Sequence, residues 1–207
     1  ILSLKSINID LDRQANLPNE PNRQILNAGI TLLINLGILN EFSKQLTPIG
    51  QSVVKFSSVS PYFALATANY TQNQQFAFLV SLIIERFTDL IHNDKAELLY
   101  NNFCPESDIV TLLHSILDLN TNGDDIIGEN DIDYERSGLS IGTLYSIYLS
   151  MSNTFNKKTN NEGRELVVNS IKWARNQPGG TLSMVDNFIN LLNKEKFLNF
   201  RKATFQY

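Results

Sequence analysis

Apolar residues recur at helical spacing through most of this chain. Ile25, Ala28, Leu32, Leu33 and Leu36 share one face of a helix that stops at Gly37. Three longer stripes follow. The first runs Phe76, Leu79, Val80, Ile83, Ile84, Phe87; the second Ile109, Leu112, Leu113, Ile116, Leu117; the third Ile141, Leu144, Tyr148, Met151, Phe155. Val167, Ile171 and Ala174 then precede the break Pro178-Gly179-Gly180, and Leu182, Val185, Ile189 and Leu192 follow it. The departure from this period is "ILNEFSKQLT" at 38–47, which reads as two short strands around a polar turn. It closes on Thr47-Pro48, an N-cap followed by a first-turn proline. The predicted fold is therefore mainly α. A small winged helix, α with a short β-hairpin, occupies 1–56, a helical bundle 57–156, and a basic helical tail 157–207.

Composition adds limits. A chain of 207 residues, 43% hydrophobic, can bury a substantial core. No apolar run approaches the roughly 18–20 residues of a membrane span, so no membrane partner is expected. The lone Cys104 cannot form an internal disulfide, which points to a reducing intracellular compartment, nucleus or cytoplasm. The first residue is Ile1 rather than Met, and the chain reads as part of a longer polypeptide. Charge is unevenly spread. Residues 157–207 hold nine Lys/Arg against four acids, a net of +5, which leaves −9 on 1–156. Such a split suits a module that meets an anion with one face.

Catalytic motifs are missing. There is no G-x-x-x-x-G-K-[ST] loop, no G-x-G-x-x-G turn and no Cys/His cluster at zinc spacing. His92 and His114 stand apart without a relay partner, Cys104 beside Pro105 reads as a packed small residue, and Trp173 reads as core or interface. The stretch "DLNTNGDDIIGE" at 118–129 does fit a calcium loop. Asp118, Asn120, Asn122, Asp124 and Glu129 fill the ligand positions, and Gly123 sits at the sharp turn. Against that, Asp125 replaces the usual apolar eighth residue and the chain has no second such loop. An acidic connection between two helices explains the stretch without a metal, and a single EF-hand calcium-binding protein stays as an alternative.

Four segments, taken in order, resemble the region behind the motor of DEAH/RHA-type helicases. "LPNEPNRQILNAGITLLINLGIL" is similar to the family's Pro-flanked helix ending in leucine, glycine and an apolar pair. "LTPIGQSVVKFSSVSP" resembles its LT-x-x-G helix, "SDIVTLLHSI" its Ser-Asp…Thr-Leu-Leu stretch, and "YERSGLSIGTLYSI" its Leu-Ser helix start. The chain departs from the family in reading Ser-Val-Ser-Pro after the LT-x-x-G helix, and its tail from Asn156 matches no family segment, as in a viral or fast-evolving member.

The resemblance implies a winged helix followed by a helicase-associated, or ratchet, domain. Such a segment is non-catalytic and lines the single-strand channel of an ATP-dependent RNA or DNA helicase. Its partners would be single-stranded RNA or DNA and the RecA-like motor domains of the same polypeptide. ATP and Mg would belong to those motors, with no cofactor in this segment. Strand contacts of this kind use N-caps, Arg, Lys and small polar groups. The expected residues are Arg86; Ser107 and Asp108 at one helix start; Arg136, Ser137 and Ser140 at the next; and Lys194, Lys196, Arg201 and Lys202 in the tail. The alternative is a winged-helix adaptor that binds duplex DNA or another protein through 25–36, with Arg23, Gln24, Asn27, Thr31 and Asn35 on its exposed face.

Overall fold

The computed structural model describes residues 22–91, 93–122 and 138–204. The lead-in at 1–21, His92, and the acidic connection with Arg136 and Ser137 lie outside them. The described residues are mainly helical. No helix among them is long and apolar enough to cross a membrane. The chain divides into two compact units, one of Ile1–Asn69 with Leu191–Tyr207 and one of Tyr70–Asn190.

In the first unit, α1 (Arg23–Asn35) starts where the Asn22 side chain accepts from the amide of Gln24. It ends at Gly37, whose φ of +71° only glycine adopts without strain. The chain thereby turns Ile38 and Leu39 into the core, where both are fully buried. Where a hairpin is expected, the described residues form no paired strands and hold one isolated antiparallel bridge, Leu39 to Leu46. Local bonding explains why it stops there. The Asn40 carboxamide folds back onto the amides of Phe42 and Ser43, both at 2.9 Å, which turns the chain out of extended pairing after Leu39. Thr47 already caps α2 (Pro48–Val54), so the pairing cannot run on past Leu46.

Gly50 in α2 is a steric requirement, since a Cβ there would lie 2.1 Å from the Ile38 carbonyl oxygen. The Thr47 hydroxyl accepts from the Gly50 amide at 3.0 Å and donates to the Gly37 carbonyl at 2.6 Å. Helix α3 (Pro61–Asn69) packs on α2.

In the second unit, α4 (Gln74–Glu85) is capped by Asn73 and buries every residue from Phe76 to Ile83. A helix apolar all round must be central. Around it lie α6 (Asp108–Asn122), α7 (Ile141–Thr154) and α8 (Asn160–Arg175), each of which it contacts. A short α5 (Phe87–Leu90) and a 3₁₀ segment, Asn93–Asn102, lead from α4 toward α6. Trp173 packs against Phe76 at 5.6 Å between ring centroids, and Phe155 meets Phe78 edge-on at 6.0 Å. Helix α8 opens on a capping box of Thr159 and Glu162. It crosses α7 so closely that a Cβ on Gly163 would lie 2.1 Å from the Tyr148 carbonyl oxygen. The last helix, α9 (Gly180–Thr204), has residues up to Asn190 in this unit.

Candidate anion-binding site

The second unit contains a polar cleft of about 330 Å³. Helix α6 supplies His114, Leu117, Asp118 and Thr121 to it. These recur at helical spacing and so line one stripe of α6. The last turn of α8 supplies Lys172 and Arg175, and Asn102 comes from the end of the 3₁₀ segment. The two long helices are tied together beside the cleft. Arg164 of α8 donates to the Asn120 side chain at 2.5 Å and to its backbone carbonyl at 3.3 Å. The Asn120 amide in turn donates to the Tyr148 hydroxyl of α7 at 2.9 Å.

His114 lies 3.4 Å from the Thr181 hydroxyl, ring nitrogen to oxygen. Burial pushes its pKa below the ordinary histidine value, and the Arg175 cation pushes the same way. Both effects favour the neutral imidazole, and among the described lining residues Lys172 and Arg175 bring cationic side chains while Asp118 brings a carboxyl group with an interaction of its own. Lys172 and Arg175 are both exposed. No hydrogen bond or ion pair with a described residue occupies either side chain.

The described residues expected from sequence each have a local role of their own. Ser107 does cap α6, its hydroxyl accepting from the Val110 amide at 3.3 Å, with Asp108 in the first turn. Ser140 stands at the N-cap of α7, but its hydroxyl donates to Thr143 Oγ1 at 3.2 Å rather than capping the backbone. Its amide donates to the Leu90 carbonyl at 2.8 Å.

Arg86 lies at the other end of that α7 seam, donating from Nη2 to Ser150 at 3.3 Å. Ser140 and Ser150 are ten residues apart, about 15 Å along the helix. The Nη1 atom of Arg86 is buried without a hydrogen-bond partner among the described residues. Desolvation lowers its pKa, with Glu85 opposing the shift. Lys194 is exposed on α9, while the side chains of Lys196, Arg201 and Lys202 lie outside the described residues.

The calcium pattern begins inside α6, where Asp118, Asn120 and Asn122 are helical. Residues two apart on a helix point about 200° away from each other. Asp118 lines the cleft while Asn120 is bonded to Tyr148 and Arg164, so as folded these two positions do not meet at one ion.

Sequence reasoning missed the cleft. Its available signals were the polar stripe His114, Asp118, Thr121 and the pair Lys172, Arg175, each of which alone reads as a solvated helix face. No protein-family model matches this chain, and no curated protein matches it in sequence.

Proposed function

We propose that this chain is a non-catalytic accessory segment of an ATP-dependent DEAH-type helicase. Its first unit would be a winged helix with a minimal wing, and its helical part would hold a single strand of RNA or DNA by its phosphates. The observation that carries this reading is the contact of Gly50 with the Ile38 carbonyl, together with the Thr47 cap. The Leu-Gly-apolar-apolar and LT-x-x-G segments that resemble the helicase family have interlocking physical jobs here. Gly37 turns the chain, Ile38 and Leu39 enter the core, and α2 starts against the turn at a distance only glycine tolerates. ATP and Mg would bind in the motor domains, and this segment would couple strand position to motor closure.

Competition between single-stranded RNA and duplex DNA for the 207-residue chain tests the reading. The expected result is weak binding to the single strand without sequence preference. Tight, sequence-specific duplex binding, lost on changing Arg23 and Asn27, would instead establish the adaptor.

A further inference from the structure

We infer that the cleft between α6 and α8 binds a phosphorylated sugar, with the phosphate on Lys172 and Arg175 and a sugar hydroxyl on Asp118. Lys172 and Arg175 sit three residues apart on one helix, which makes them neighbours on its surface. Both side chains are open to the cleft and uncommitted among the described residues. An anion with several oxygens can engage both at once, the Arg fork giving directional bonds and the Lys a point charge.

The opposite wall fixes what accompanies that anion. The Asp118 carboxyl group brings oxygens that can accept from a hydroxyl beside the interaction it already makes. Thr121 already donates to the Leu117 carbonyl at 2.9 Å, which leaves its oxygen as a further acceptor for a hydroxyl. Asn102 offers an amide. Among the described lining residues Leu117 is the one apolar side chain, a lining that suits a polar ligand better than a base or an acyl chain. A cleft of about 330 Å³ has room for one sugar with its phosphate.

The inference does not rest on the helicase reading. A cleft that binds nothing would leave strand binding by Lys194, Lys196, Arg201 and Lys202 as it was.

The test titrates the 207-residue chain with ribose 5-phosphate, inorganic phosphate, and 5′-phosphorylated and 5′-hydroxyl trinucleotides, following the His114 imidazole signals by NMR. Ribose 5-phosphate is expected to shift them and saturate in the millimolar range, and to bind better than inorganic phosphate. The exposed pair change Lys172→Gln with Arg175→Gln should weaken binding at least about tenfold, as expected for loss of charge-assisted hydrogen bonds, while the melting temperature holds. Asp118→Asn should leave phosphate binding intact and erase the advantage of the sugar.

Stronger binding by the 5′-phosphorylated trinucleotide than by ribose 5-phosphate would support the site and assign it to a strand end. The reverse order would support it and assign it to a free metabolite. No shift with any phosphate at about 10 mM, well above a millimolar Kd, would overturn the site. Unchanged binding by the double variant would do the same, and inorganic phosphate binding as tightly as ribose 5-phosphate would remove the sugar contact.

Discussion

Replacing Gly163 by alanine should open the seam on which the second unit is built. The new Cβ would stand 2.1 Å from the Tyr148 carbonyl oxygen, 2.9 Å from its carbon and 3.1 Å from the Ser152 Cβ. Carbon–oxygen contacts settle near about 3.3–3.6 Å, so α7 and α8 must part locally by roughly 1 Å. Two of the three opposing atoms are backbone, which no side-chain rotation can clear. The two helices pack on each other, and Leu144, Ile147, Tyr148 and Met151 of α7 and Leu166, Val167 and Ile171 of α8 are all buried. Overpacking of a close-packed interface costs about 1–3 kcal/mol, and here the obstacle favours the upper end. The higher helix propensity of alanine returns up to about 1 kcal/mol. The net expectation is a loss of about 2 kcal/mol.

Urea unfolding followed by Trp173 measures it, because this single tryptophan packs on Phe76 within the same unit. With a denaturant slope of about 2 kcal/mol per molar, the midpoint should fall by about 1 M. Helix propensity alone predicts the opposite sign. An unchanged or raised midpoint would refute the steric account.

Gly50→Ala should destabilise the first unit by about 2 kcal/mol for the same reason, its Cβ meeting the Ile38 carbonyl. A variant melting at the wild-type temperature would show that the LT-x-x-G spacing is not steric here. His114 supplies a pH dependence. Its folded pKa is lowered by burial and Arg175, so the unfolded chain takes up its proton more readily. The stability of the neutral imidazole is full above the ordinary histidine value of about 6.5 and is lost as pH falls through the folded value. His114→Asn should flatten the stability curve below about pH 6.5, and equal slopes in both proteins would contradict the assignment. Calcium to about a millimolar, the weak end for such loops, should leave the melting temperature unchanged. Stabilisation abolished by Glu129→Gln would restore the EF-hand.

Much of the helical architecture is legible in the sequence because burial follows the 3.6-residue period. Leu112, Leu113, Ile116 and Leu117 are all buried, as their stripe implies. The period fails to convey the centrality of α4, where Ala77, Phe78 and Leu82 are buried beside the predicted stripe. That depends on having neighbours on several sides, which one helix cannot announce. The hairpin was overextended because strand propensity at 38–47 competes with two local events, the Asn40 turn and the Thr47 cap, that shorten the ladder to one bridge.

Both close glycine contacts were invisible in type. Gly50 lies in the LT-x-x-G segment with no local pattern that shows the nearby carbonyl, and Gly163 lies inside a helix, where propensity alone disfavours it. The cleft was illegible because it needs α6 and α8 side by side, and residues 114–121 meet 172–175 only through that packing.

The salt dependence of single-strand binding tests the central claim most directly. The affinity of the 207-residue chain for single-stranded RNA is measured across salt concentrations, beside a variant with Lys194, Lys196, Arg201 and Lys202 changed to Gln. Each phosphate neutralised on a single strand contributes about 0.7 to the slope of log affinity against log salt. The account predicts weak, sequence-independent binding by the wild type. The variant should lose affinity evenly across sequences and up to about 3 of that slope, as four lost contacts imply. An unchanged slope in the variant, or tight binding to one duplex sequence that ignores those four residues, would contradict it.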